Sequence, residues 1–155
     1  MCIILDANRF GDALSTPPKP DYLPIIDWLT KHDRNGVVVF GGTKFLQEIA
    51  RDDRARRWFV TLERSGRARS IDKTDVDAEE IQVRRSKLCA SDDEHLIALA
   101  RMSGARVFCT EDKTLFEDVR NARLLSRPRG RVYRRKAHIA LLCHNAQCKR
   151  HLRQR

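Results

Sequence analysis

The chain has 155 residues, 34% of them charged, and a formal net charge of +10. That length is room for one domain with a core of its own. No run approaches the ~18 apolar residues of a membrane span, and residues 1–6 read as too short and too acidic for a signal peptide.

The charge is lopsided. Of the 31 Lys and Arg residues, 12 fall in 119–155, where there is no Asp or Glu, leaving 19 basic and 21 acidic residues in 1–118. A slightly acidic body, 1–118, therefore precedes a basic segment, 119–155, packed on or extending from the same domain. Such a segment suits a polyanion, with nucleic acid ahead of an acidic protein and a membrane surface last. Five cysteines, odd in number and mostly in apolar runs, fit a reducing, cytoplasmic setting rather than a disulfide framework.

In chain order, the apolar run 2–5 predicts a strand. It is continuous rather than alternating, as the interior of a parallel sheet requires. Pro17, Pro18 and Pro20 mark a loop. A helix over 21–32 gathers Leu23, Ile25, Ile26 and Leu29 on one side, with Pro24 tolerable in its first turn. A second strand follows at 37–40, then a helix over 43–51 carrying Phe45, Leu46 and Ile49. The helix 54–65 carries Trp58, Phe59 and Leu62 and stops before Gly66. Helices over 75–88 and 91–103 come next, the second ending at Gly104, and a third strand occupies 107–109. Beyond it the pattern gives a short helix at 115–119, edge strands at 124–125 and 132–133, a final helix over 137–143 and a frayed end. Strands alternating with helices predict an α/β fold with a mostly parallel central sheet flanked by helices and joined by right-handed crossovers.

Ligands of such sheets bind beyond the carboxyl ends of the strands, and four acids fall there. Asp6 ends the first run and reads either as a loop cap or as a site residue. Glu48 flanks the apolar stripe of its helix, the position of a solvated edge. Asp93 precedes Leu96, Ile97 and Ala100 at i+3, i+4 and i+7, so it shares their buried stripe. The S-x-x-E capping box of Ser91 and Glu94 does not explain an inward carboxylate, and an unpaired buried charge costs several kcal/mol. Asp112 follows the third run and reads equally as an N-cap. Brought together, four carboxylates repel, so at least one pKa should rise. A hard cation, Mg²⁺ or Mn²⁺, suits an all-oxygen set. One or two such ions ionise a water and stabilise the leaving oxygen of a phosphodiester.

At these residues the sequence resembles the PIN domain family of metal-dependent ribonucleases. Ile3-Ile4-Leu5-Asp6-Ala7-Asn8 resembles the family's strand-D-x-N opening, and 43–48 resembles its second block. Residues 93–100 resemble the third, an Asp before an Ala-rich apolar helix. Val107-Phe108-Cys109-Thr110-Glu111-Asp112, with Leu115, resembles the last. The blocks stand in family order over 1–118. The resemblance implies a three-layer sandwich and catalytic, metal-holding Asp6, Glu48, Asp93 and Asp112, supported by Asn8 and Thr110. It also implies an endoribonuclease leaving 5′-phosphate and 3′-hydroxyl ends. Arg127 to Tyr133 resembles the ending of some PIN subfamilies, and Arg127, Arg129, Arg131, Arg134, Arg135 and Lys136 are the expected RNA-binding set. The short format resembles toxin or phage-defence members, which pair as homodimers or bind an inhibitory, antitoxin-like partner. The rival reading is a non-catalytic nucleic-acid-binding or interaction module on the same scaffold.

Cys143, His144, Cys148 and His151 offer soft ligands, but one C-x4-C spacing reads as two unrelated cysteines rather than a zinc site. His95 lies off the Leu96/Ile97 stripe, which places it on the surface or against another site residue rather than as a general base.

Overall fold

A computed structural model of the chain describes residues 2–144. Five strands form one all-parallel sheet: β1 (Cys2–Leu5), β2 (Val37–Gly41), β3 (Ala68–Ile71), β4 (Val107–Cys109) and β5 (Arg131–Tyr133), in the order β3-β2-β1-β4-β5. The three apolar runs supply the interior strands. Every residue of β1, β2 and β4 is buried, which requires a covering layer on each face. The register sets Ile3 beside Val107 and Val38, and Val107 beside Arg131.

The edges differ. β3 reads Ala-Arg-Ser-Ile and β5 Arg-Val-Tyr, each half exposed, so neither shows an apolar run. β5 includes the expected edge strand at 132–133, whereas β3 has no counterpart in the sequence reading. Leu124 and Leu125 are buried in a turn instead of a strand. The basic segment thus contributes a strand to the domain's own sheet.

The helices are α1 (Phe10–Ala13), α2 (Leu23–Thr30), α3 (Thr43–Ala50), α4 (Asp53–Arg64), α5 (Lys73–Ser86), α6 (Glu94–Ser103), α7 (Lys113–Arg120) and α8 (Leu141–His144). Asp52 and Asp72 cap α4 and α5 through their side chains. α3 is capped from outside. Gly42, at φ +83°, has no side chain to offer, and a Cβ there would stand 2.7 Å from Val76. Asp77 of α5 takes over, accepting the Thr43 N–H at 2.7 Å and its hydroxyl at 2.6 Å. α6 starts three residues later than the capping-box reading, because Ser91 bonds elsewhere. Phe10, Phe40, Phe45 and Phe59 pack edge-on or stacked on the α3 and α4 side of the core.

Cys2 is disulfide-bonded, against the expectation of unpaired thiols, whereas Cys89 and Cys109 are free. Among the described residues no helix is long and apolar enough to cross a membrane.

Candidate active site at the strand ends

From β1 the chain goes to β2 and β3 on one side and then to β4 and β5 on the other. The order therefore reverses between β1 and β4, and open parallel sheets bind ligands beyond the carboxyl ends of the strands at such a crevice. Asp6 and Asp112 flank it. The Asp6 N–H donates to the Cys109 carbonyl at 3.0 Å, so the residue continues the sheet by one step. Its Oδ2 accepts the Thr110 hydroxyl at 2.7 Å and its Oδ1 the Asn8 N–H at 3.3 Å. Asp6 therefore caps the 3-10 turn Ala7–Arg9, as one of its two readings expected, from a position at the carboxyl end of β1. Burial raises its pKa, with the Thr110 and Asn8 bonds pulling the other way.

Thr110 is fully buried and also accepts the Asp112 N–H at 3.1 Å, tying the two loops together. Asn8 supports Asp6 through its main chain, while its exposed amide oxygen accepts from Arg9 at 2.9 Å.

Asp112 is the N-cap of α7, as one reading expected. Its Oδ1 accepts from Thr114 N, Thr114 Oγ1 and Leu115 N. The Thr114 hydroxyl, the other capping bonds and a hydrogen bond with Asp93 hold its carboxyl below the usual range. Asp93 is the opposite case. It occupies the N-cap position of α6 but gives that helix no side-chain bond. Its pKa is pushed up to about 6, first by burial and then by the negative charge of Asp6, with Asp112 adding and His95 and Lys44 opposing. Of these neighbouring acids, Asp93 has its charged form disfavoured while Asp112 has its charged form favoured. Burial outweighs the like-charge repulsion on which the sequence reading relied.

Glu48 is half-buried, with Oε2 3.3 Å from Nε2 of His95. His95 is 1% exposed, so the surface alternative is corrected, and the ring meets Glu48 instead. Its Nδ1 is buried without a partner, and its ring lies against Phe45. The off-stripe argument failed because α6 is buried all round from His95 to Ala100, leaving no polar face at that point.

Two further residues were not anticipated. Lys44, in the first turn of α3, donates Nζ to the Asp92 carbonyl at 2.7 Å, beside the acids. Asp118, 2% exposed on α7, accepts the N–H groups of Ala90 at 2.7 Å and Ser91 at 2.9 Å, and the Ser91 hydroxyl. It anchors the segment that delivers Asp93. Ser91 Oγ accepts the Asp93 N–H at 3.3 Å rather than capping α6.

The donor set suits a hard cation: all oxygen, partly buried and mutually repelling. Among the described residues, however, no three His, Cys, Asp or Glu side chains stand around one point in a way that would hold a metal ion. The bonding explains why. Asp6 turns to Thr110 and Asn8, Asp112 to its cap and Glu48 to His95.

The expected RNA-binding residues divide between the two ends of the sheet. Arg134, Arg135 and Lys136 follow β5 on the side of the acids, where Arg134 meets Glu111 at 3.3 Å and lies over the Phe116 ring. Arg127, Arg129 and Arg131 precede or open β5, level with the start of β4 and away from the acids. The side chains of Cys143, His144, Cys148 and His151 lie outside the described residues. Compared with family models, curated proteins and solved structures, the chain matches none.

Proposed function

We propose that this chain is a PIN-type endoribonuclease, with Asp6, Glu48, Asp93 and Asp112 holding one or two Mg²⁺ or Mn²⁺ ions. The observation that carries the reading is the meeting of Asp6, Asp93 and Asp112, from three separate loops, at the switch point of a parallel sheet. There burial raises the pKa of Asp6 and Asp93, and the charges of Asp6 and Asp112 raise that of Asp93 further. A bare basic binding module has no use for that arrangement. A bound divalent ion would supply an ionised water and charge neutralisation at the phosphodiester.

The chain's own residues prepare the site. Thr110 fixes the rotamer of Asp6, and His95 turns Glu48 inward. Lys44 sets a positive charge beside Asp92 and Asp93, where a phosphate would otherwise meet only acids. Because burial disfavours the charged form of Asp93, a cation bound there would favour its ionisation, which links metal binding to proton release.

The test is cleavage of end-labelled structured and unstructured RNA in Mn²⁺ and in chelator. Expected are 5′-phosphate and 3′-hydroxyl products in Mn²⁺ alone, and a loss of at least ~100-fold for Asp93→Asn, the several kcal/mol of a lost metal contact. RNA bound but uncut in every divalent ion would support the binding-module reading instead.

A further inference from the structure

The end of the sheet opposite the acids carries a second concentration of charge. Arg120 closes the last turn of α7. Arg129 and Arg131 flank Gly130, where a Cβ would stand 2.3 Å from the Val119 carbonyl oxygen. Only a glycine lets the chain press so closely on the end of α7, and that approach sets the three guanidiniums along one groove of about 550 Å³. All three arginines are exposed, and none has an ion-pair partner among the described residues. The chain has no Asp or Glu after Asp118 to neutralise them. Like charges held together by a tight backbone contact leave an electrostatic deficit that an anion removes.

We infer that this groove binds phosphates of an RNA strand at a distance from the acids, as a second anchoring site. The inference rests on the proposed nuclease reading for the identity of the polymer. Val132, Ala137 and Leu141 also line it, with the His138 ring, whose Nδ1 accepts the Arg134 N–H at 3.0 Å; three guanidiniums against one ring make backbone charge the main thing the groove reads. A β-strand of three residues is a short edge for an added peptide strand, which disfavours an acidic protein segment.

α7 acts as a ruler between the two sites. Its N-cap Asp112 lies in the acid cleft and Arg120 ends its last turn, eight residues on, about 12 Å at ~1.5 Å per residue. Arg131 is level with Val107, five residues before Asp112, at most about 17 Å along the strand direction. In a stacked strand rising ~3.4 Å per nucleotide, these spans correspond to roughly four or five nucleotides.

Binding of fluorescein-labelled oligouridylates of 3 and 12 nucleotides to the full chain in EDTA tests this without any cleavage. Wild type should bind the 12-mer more tightly and with a steeper salt dependence. The triple variant Arg120→Ala, Arg129→Ala, Arg131→Ala should bind the 12-mer at least ~10-fold more weakly at low salt. Its log–log slope should be shallower by about 2, from ~0.7 per phosphate contact on a single strand. The affinity gained from 3 to 12 nucleotides should largely disappear. Arg129→Glu with Arg131→Glu should weaken the 12-mer further, with the melting temperature of each variant checking the fold. An unchanged 12-mer affinity and slope would overturn the inference, as would no 12-mer binding by wild type, or competition by polyglutamate of equal charge as effective as by unlabelled RNA. A protein that binds in this way yet never cuts RNA in Mn²⁺ loses the nuclease reading and keeps the groove.

Discussion

Asp93 shows how one carboxylate is tuned by its surroundings. Its ordinary value is ~3.9, and burial, with the charge of Asp6 next, moves it to about 6. Between about pH 4 and 6 the folded protein keeps a proton that the unfolded chain has already released. Stability tied to this group is therefore present at low pH and lost as pH rises through that window. Asp93→Asn keeps a donor for Asp112 but has no charge to ionise. In EDTA, its melting temperature minus that of wild type should grow from pH 4 to 7, with the variant the more stable at pH 7. A difference that stays flat across the window would show that Asp93 ionises freely. Asp112 runs the other way, because the Thr114 hydroxyl and the capping bonds favour its charged form.

α7 joins three tasks in eight residues. Its N-cap Asp112 stands in the cleft, Asp118 grips the segment leading to Asp93, and Arg120 ends in the basic groove. The Asp118 contact is internal, so its worth is the cost of leaving its partners unbonded. Asp118→Ala would strand the N–H groups of Ala90 and Ser91, and hydrogen bonds to charged groups are worth ~1.5–3 kcal/mol each. Urea denaturation should show a loss of about 3 kcal/mol, with Asp118→Asn, which still offers one acceptor, in between. A loss under ~1 kcal/mol would mean that water replaces the clamp. α3 depends on its neighbour in a similar way, since Asp77 supplies the cap that Gly42 lacks, coupling the Glu48 helix to α5.

Across the molecule, the clustered acids stand at one end of the sheet, while the basic residues around β5 divide between both ends. A cation bound among the acids at the carboxyl ends would relieve their repulsion. A divalent ion binding only the folded state stabilises by about 1.4 kcal/mol at ten times its Kd, roughly 3–6 °C for a chain of this size. Millimolar Mn²⁺ should therefore raise the melting temperature at pH 7 by several degrees, and Asp93→Asn should lose most of that rise. Equal shifts in both proteins would point to a binding site elsewhere.

The interior of the fold was legible in the sequence because β1, β2 and β4 are buried on both faces and leave continuous apolar runs. The α3, α4 and α6 patterns showed for a related reason, as their apolar positions recur at helical spacing. The edge strands β3 and β5 were not equally legible, since a half-exposed strand with Arg69 or Arg131 in it carries no such run. The acids at the strand ends could be found because a carboxylate next to a buried strand is conspicuous. Their partners could not. Whether Glu48 turns to solvent or to His95, and whether Ser91 caps α6 or bonds Asp118, depends on residues 27 to 47 positions away. The basic segment was visible as composition alone. Its division between the acid cleft and the far groove follows from parallel pairing of β5 with β4, which sets residues before and after a three-residue strand at opposite ends of the sheet.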